Sequence, residues 1–566
     1  MPGRRSFSTS VAKAAAAVLA VVLLSANLAF VAANVDIDAA AADTAPAPGE
    51  PETVSSAALP TVQINGVVWN QVIVGNRVYA TGQFTRARPA GSAPGTNEVV
   101  RSNILAYNLT TGALISDWDP ALNAQGLELA ASEDGSRIFV GGDFDQVDGQ
   151  WRSRIAALDA QTGELLPFNP GANSRVDALA VAGNTLYYGG NFTNIGTNDV
   201  GFAARTRFAA VNATTGARLS WAPTADSPVN SMVYAAGRVV VSGGFSFLNG
   251  VEQWSMGSFD ADTGALRPWA ANTVIRNHGP DAAIGSLSTD GEKVYGVGWA
   301  YFAGGANANF EGVFGADVAT GELSWIDAGR GDNYDVHVAG DVVYFVGHPH
   351  DWGMLEWNPQ YPQPWQFQRA GAINKHASPT LTNAFGTPST WLFEGMPAAQ
   401  PLHWLPTVTG GTYTGQGQAA WSVESNGDYT VLGGEFPRVN GINQQGLVRF
   451  AKRAISPTVD PIPNFPELQP TVTPVGPGTV RVGWPAAWDR DNERLTVEVL
   501  RGATTASSTV LKTFQTSTNW WTRPPLGFVD KTAPPGSSQT YRIRVTDPSG
   551  NGFAGPPTTA TIPAGS

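Results

Sequence analysis

The chain has 566 residues, too many for one ordinary domain. Only 14% are charged, against roughly 25% in typical soluble domains, while 64 Gly and 40 Pro accompany 42% apolar residues; this excludes a coiled coil and general disorder and leaves a turn-dense, all-β protein. A net charge of −12 gives no footprint for nucleic acid or anionic lipid, and the absence of Cys removes disulfides, thiolate metal sites and Cys nucleophiles.

Arg4, Arg5 and Lys13 precede an apolar stretch, residues 14–33, and then small residues. This is the layout of a secretory signal peptide over residues 1–33, with cleavage after Val31-Ala32-Ala33 or in the Ala run at 39–42. The alternative is an uncleaved anchor, since about 20 apolar residues can span a bilayer. Residues 34–59, rich in Ala, Pro and acid, are expected to form a disordered leader.

A repeat organises residues 60–453. Arg137-Ile-Phe-Val-Gly-Gly-Asp-Phe144 is followed by Ile155-Ala-Ala-Leu-Asp-Ala-Gln-Thr-Gly163, and the pair returns as Leu186–Phe192 with Phe208–Gly216 and as Val239–Phe245 with Phe259–Gly264. Copies starting at Val78, Val294, Val343 and Val431 bring the total to seven. Short β-branched runs read as strands, and Asp-x-x-Thr-Gly reads as the turn between two of them. A small sheet cannot bury both faces alone, so stacking the copies radially predicts a seven-bladed β-propeller. Weak fifth and sixth copies leave six or eight blades open. Residues 62–66 are expected to complete the last blade.

The sixth copy departs from the pattern. Gly347 is followed by His348, Pro349 and His350, and an insertion is expected at about 349–420. All six His lie between 278 and 403, and six of the 18 Trp between 352 and 421. Two chemistries suit this region. Trp352, Trp357, Tyr361, Trp365, Trp391 and Trp404 make an aromatic platform on which sugar rings could stack. His348 and His350 on one side of an extended segment, with Asp351 or His337 as third ligand, suit zinc or another divalent metal. The plainer alternative packs the aromatics onto the propeller and leaves the histidines as loop residues. The polar slot after Gly-Gly (Gln83, Asp143, Asn191, Glu435) is expected to cap strand ends, because a residue type recurring in every copy serves the scaffold.

Prolines punctuate residues 454–478, read as a stiff linker. Beyond them, alternation at Val480/Val482/Trp484, Leu495/Val497/Val499 and Tyr541/Ile543/Val545 predicts a β-sandwich over 479–563. Its loop Asp489-Arg-Asp-Asn-Glu493 reads as a solvated turn, with a cation site as the alternative.

Gly-Gly-x-Phe followed by Ala-x-Asp-x-x-Thr-Gly, with Gly433-Gly-Glu-Phe436 and Gln445-Gly-Leu-Val-Arg-Phe450 at the close, resembles the secreted actinobacterial proteins built from glycine-rich Kelch-like or delta-60-like repeats. The C-terminal part resembles a fibronectin type III domain, with Trp484 and Tyr541 at its core positions. The resemblance implies architecture and export, and no activity. It also implies cysteines around the His-x-His segment; this chain has Pro349 and Asp351-Trp352 there, so a thiol role is absent. Gly112 to Trp118 and Gly321 to Trp325 are similar to repeats of quinoprotein dehydrogenase propellers, which Gly-Gly-x-Phe does not fit. There is no Gly-x-Ser-x-Gly elbow, His-Glu-x-x-His helix or phosphate loop.

The expectation is a secreted, monomeric envelope or extracellular binding protein. It recognises polysaccharide or another cell-envelope component, with no cofactor beyond the metal just named and no membrane contact after signal cleavage. The alternative is a secreted glycoside hydrolase or lyase, metal-assisted at His348 and His350.

Overall fold

The computed structural model describes residues 50–565, apart from 280, 301–307, 328, 356, 359–365 and 383–392. The signal-peptide reading therefore lies outside the described residues. The fold is all-β. Seven antiparallel meander sheets follow one another over residues 67–451 among the described residues. Their first and second strands are Val67–Val74 with Arg77–Gln83, Gly126–Ala131 with Arg137–Gly142, Val176–Ala182 with Thr185–Gly190, Val229–Ala235 with Arg238–Gly243, Ala282–Thr289 with Lys293–Ala300, Asn333–Ala339 with Val342–Gly347, and Ala420–Ser425 with Tyr429–Gly434. Each first strand packs against the first strand of the next sheet, and the seventh packs against the first. This ring is consistent with a β-propeller.

The repeat motifs have separate jobs. Phe84, Phe144, Phe192, Phe245 and Phe436 of Gly-Gly-x-Phe are buried in the core. In the turn motif, Asp159 accepts hydrogen bonds from the main chain of Gln161 and Thr162, both 2.8 Å, and from the Thr162 hydroxyl. Asn108, Asn212, Asp260 and Asp317 do the same work in their copies. Trp118 of sheet one donates to Asp159 O of sheet two, Trp221 of sheet three to Asp260 O of sheet four, and Trp325 of sheet five to Lys375 O of sheet six. These indoles fasten neighbouring sheets at the rim.

Ring closure differs from the expectation. Residues 63–64 pair with Arg86–Arg88 beside the first sheet. The outer edge of the seventh sheet is covered instead by residues 55–59: Ser55 N donates to Ala451 O and Leu59 N to Arg449 O. Thr53 through Ser56 are buried, so the second half of the expected leader belongs to the fold. Arg449 is buried without a carboxylate. Its guanidinium donates to Leu109 O, to Thr110 O at 2.8 Å, to Pro60 O at 2.8 Å and to Thr61 Oγ1 at 3.3 Å. One side chain of sheet seven thereby holds the turn of sheet one and the start of the chain.

The inner strands are also cross-linked. Asp335 of sheet six accepts Ser286 Oγ of sheet five at 2.6 Å and Val423 N of sheet seven at 2.8 Å. Asn70 accepts Leu129 N, and Ser231 accepts Leu287 N, in the same manner.

The sixth sheet is completed by Ala370–Thr380 and Pro397–Pro401. The extra length is therefore not one excursion over 349–420. It falls in two connections, residues 348–369 and 381–396, around ordinary third and fourth strands.

The C-terminal module packs the three strands Thr471–Gly476, Thr479–Pro485 and Pro525–Asp530 against a sheet centred on Arg494–Arg501 and Ser538–Thr546. Trp484 and Tyr541 lie in the shared core, and Tyr541 donates to Asp530 at 2.8 Å. The stretch read as a linker enters the same core through Ile462, Phe465 and Leu468 and supplies the first strand, because its apolar residues find cover there.

Candidate binding site at one mouth of the ring

Every inner strand carries a β-bulge near its start, which leaves one residue unpaired. The unpaired residues are Trp69, Leu127, Asp177, Asn230, Gly285, Tyr334 and Trp421, all partly exposed. A bulge re-aims its side chain, here toward the mouth of the ring. Trp421 lies 4.3 Å from the Tyr334 ring and 5.3 Å, edge to face, from Trp69. Three adjacent sheets (six, seven and one) thus present one aromatic arc.

Polar groups fix and flank this arc. Trp421 Nε1 donates to Glu435 at 3.1 Å, and Glu435 also accepts Thr414 N and Oγ1. Trp69 Nε1 donates to Gln125 at 2.9 Å; Gln125 donates to Asp143, which pairs with Arg175 at 3.0 Å. On the other flank, His348 Nδ1 lies 3.0 Å from Tyr334 OH and 3.1 Å from Gln418 Oε1, which Arg369 also reaches at 3.1 Å. His348 Nε2 is 4.0 Å from Asp332. In the slot after Gly-Gly, Asp143 and Asn191 pair with side chains and Glu435 with Thr414 and Trp421, rather than with the backbone groups of a strand end. Asp143, His348 and Glu435 line the mouth, and Trp299 in the same slot of sheet five lies over Gly285.

Burial pushes the Glu311 carboxyl up to about 7, and the Gly331 N–H that it accepts opposes the rise. The Asp332 carboxyl is also raised by burial, with the nearby His348 opposing; burial lowers His348 itself. On the inner strands, burial raises Asp335 and Asp177 to about 6, and after the last strand of sheet five it raises Asp327 to about 7. These carboxyls bind protons more tightly folded than unfolded. Their contribution is complete below about pH 4 and is lost as pH rises through 6 to 7. The turn acids Asp159 and Asp317 act oppositely: hydrogen bonds from their Thr neighbours lower them, and their contribution is lost on acidification. Thermal unfolding in EDTA should therefore give a Tm maximum near pH 4–5 and a decline toward pH 8; a Tm rising from pH 5 to 8 would contradict these burial effects.

The residues expected from sequence to form the site are placed differently. Trp352 is buried and donates to Asp327 at 3.1 Å; Trp404 is buried against Tyr344 and Phe450 and donates to Ser55 O at 3.4 Å. Neither has a face free for a sugar. Trp357 is wedged between Trp352 and Trp521 of the C-terminal module, with ring centroids 5.0 and 4.3 Å away. Tyr361, Trp365 and Trp391 lie outside the described residues. The extended His-x-His geometry is present: His348 N and His350 N donate to Asp332 O and Arg330 O, and both rings meet Phe367 edge to face. Among the described residues, neither candidate third ligand joins them. Asp351 turns to Gly353 N and Arg330, His337 pairs with Glu424 at 2.9 Å, and no three His, Asp or Glu side chains converge for a metal among the described residues.

No protein-family profile matches the chain, and no curated protein does. Among solved structures, it is similar to the computationally designed Ika8 protein at 13% identity and a TM-score of 0.37, covering 70% of this chain and all of that one. A chain of the mitotic checkpoint complex gives 11% identity and 0.37 over 75% of this chain and 100% of that one. The Neurospora crassa Pan2 WD40 domain gives 8% and 0.37 over 71% and 98%. Likenesses at these scores transfer no property.

Proposed function

We propose that this chain is an exported binding protein whose seven-bladed propeller recognises polysaccharide at the aromatic mouth, with a fibronectin type III-like module as its spacer or docking unit. One observation carries the reading: Trp69, Tyr334 and Trp421 occupy equivalent bulges of adjacent sheets and form a partly exposed arc edged by Glu435, Gln418, Arg369 and His348. Flat aromatic faces suit the apolar faces of pyranose rings, and the flanking amide, guanidinium and carboxylate suit their hydroxyls. Seven copies of one bulged register, with the last inner strand against the first, support the blade number. Trp484 and Tyr541 in one core support the fibronectin-like reading. Export rests on residues 1–33, and a cell-envelope polysaccharide is the ligand that such a location offers.

A glycan array followed by calorimetry on its best ligand tests this. Trp421→Ala and Trp69→Ala should each weaken binding about tenfold, near 1.4 kcal/mol, while Trp357→Ala leaves it unchanged. Loss with Trp357→Ala alone would return the site to the insertion.

A carbohydrate-active enzyme is the second reading, favoured by the Glu311 carboxyl, which burial and, less so, the nearby Asp332 push up to about 7. Such a group can donate a proton to a leaving oxygen. Product analysis separates the two: shortened chains that disappear with Glu311→Gln favour turnover, and unaltered chains favour retention.

A further inference from the structure

The loop Asp489-Arg-Asp-Asn-Glu493 is not a solvated turn. Asp489, Asp491 and Asn492 are buried where the C-terminal module meets the ring, together with Asp460 and Asp547. Asp491 Oδ2 accepts Ser55 Oγ and Ser56 N, both at 2.8 Å, and so holds the segment that closes the seventh sheet. Asp460 accepts Ser56 Oγ at 2.6 Å. Two guanidiniums face these acids: Arg490, 3.1 Å from Asp460, and Arg453, 3.9 Å from Asp491 Oδ1. His403 lies against the same loop, its Nε2 2.8 Å from Asp489 O. Among the described residues, four buried acids thus face the guanidiniums of Arg490 and Arg453.

A second observation singles out one place among them. Asp489 is 0% exposed, and its Oδ1 has no hydrogen-bond partner among the described residues. A buried carboxylate oxygen without a partner costs far more than one that is paired. Beside it, the Asn492 amide sits 2.5 Å from Asp489 Oδ2 and 2.7 Å from Asp491 Oδ1, at the centre of both carboxylates. A half-turn of that amide exchanges its nitrogen for its oxygen and adds a third oxygen ligand.

We propose that Asp489, Asp491 and the side-chain oxygen of Asn492 bind one calcium ion at the seam between the ring and the C-terminal module. The donor set is oxygen only, which suits a hard cation. Calcium accepts about six to eight oxygens in loose geometry, including amides, main-chain carbonyls and water. A set with two carboxylates and no converging third acid fits that habit better than the closed acid and imidazole cages of zinc. The ion neutralises the excess acid, fixes the loop that grips Ser55 and Ser56, and so ties closure of the ring to calcium. The site is independent of whatever the mouth binds.

The test uses the full chain stripped with EDTA and repurified. Calcium at about 5 mM should leave one ion per chain after gel filtration and raise Tm by about 2–5 °C. Asp489→Asn should fold, because the amide eases the repulsion, and should show no calcium-dependent rise. Asp177→Asn, an acid at the mouth, should keep the full rise. The proposal is overturned by an unchanged Tm with no retained calcium, by a rise that Asp489→Asn preserves, or by a rise with magnesium and none with calcium.

Discussion

Arg449→Met is expected to lower stability by about 3–5 kcal/mol, because a buried charged donor is lost and its acceptors stay behind. Leu109 O, Thr110 O and Pro60 O all accept from the guanidinium of this buried side chain. Methionine fills much of that volume and satisfies none of them. Arg449→Lys keeps the charge but not the fork, and should recover less than half of the loss. The damage should appear as easier release of residues 55–61, measured by hydrogen exchange of Leu59, alongside a lower denaturation midpoint. A change below about 1 kcal/mol would mean that the ring is closed by strand pairing alone.

Asp335→Ala should cost about 2–4 kcal/mol. The carboxylate of sheet six accepts from Ser286 of sheet five and from the main chain of Val423 in sheet seven, and also from Val336 N at 2.9 Å. Removing it unfastens three inner strands at once. Asp335→Asn retains one acceptor oxygen, so about half of the loss should return. Because burial lifts this carboxyl to about 6, the same variant should flatten the fall in stability between pH 4 and 6. A pH profile identical to that of the parent chain would remove Asp335 from the account of acid-side stability.

The ring was legible because its punctuation repeats. Gly-Gly-x-Phe or a near variant marks the end of the second strand in sheets one to four and seven, and Asp/Asn-x-x-Thr-Gly marks the turn after the third in sheets one to five, each for a local reason that recurs in the sequence. The closing segment carries neither mark. Ser55 to Leu59 is a short edge segment whose partners, Arg449 and Ala451, lie almost 400 residues away, and its small residues resemble the leader before it. Trp404 misled for a related reason. It is the sheet-six counterpart of Trp118, Trp221 and Trp325, each donating to the neighbouring sheet at the rim, but a long connection precedes it and sheet six carries no Thr-Gly turn to mark it. Counting its copies would have assigned it to the scaffold.

The mouth was hidden by the opposite effect. A bulge is a property of strand pairing and leaves no fixed residue type, so Trp69, Asp177, Gly285 and Tyr334 share a position without sharing chemistry. Variation within a fixed slot is where recognition can be written on a repeating frame. Asp143, His348 and Glu435 show the same logic in the slot after Gly-Gly, where a shared polar character suggested capping alone. His348, which breaks the repeat, lies beside the aromatic arc, where its Nδ1 meets Tyr334 and Gln418.

Hydrogen exchange of the full chain with and without its best glycan ligand tests the location of binding most directly. Protection is predicted in residues 67–74, 332–337 and 418–425, which carry Trp69, Tyr334 and Trp421. Protection confined to residues 351–358 and 518–523, where Trp357 meets Trp521, would contradict it.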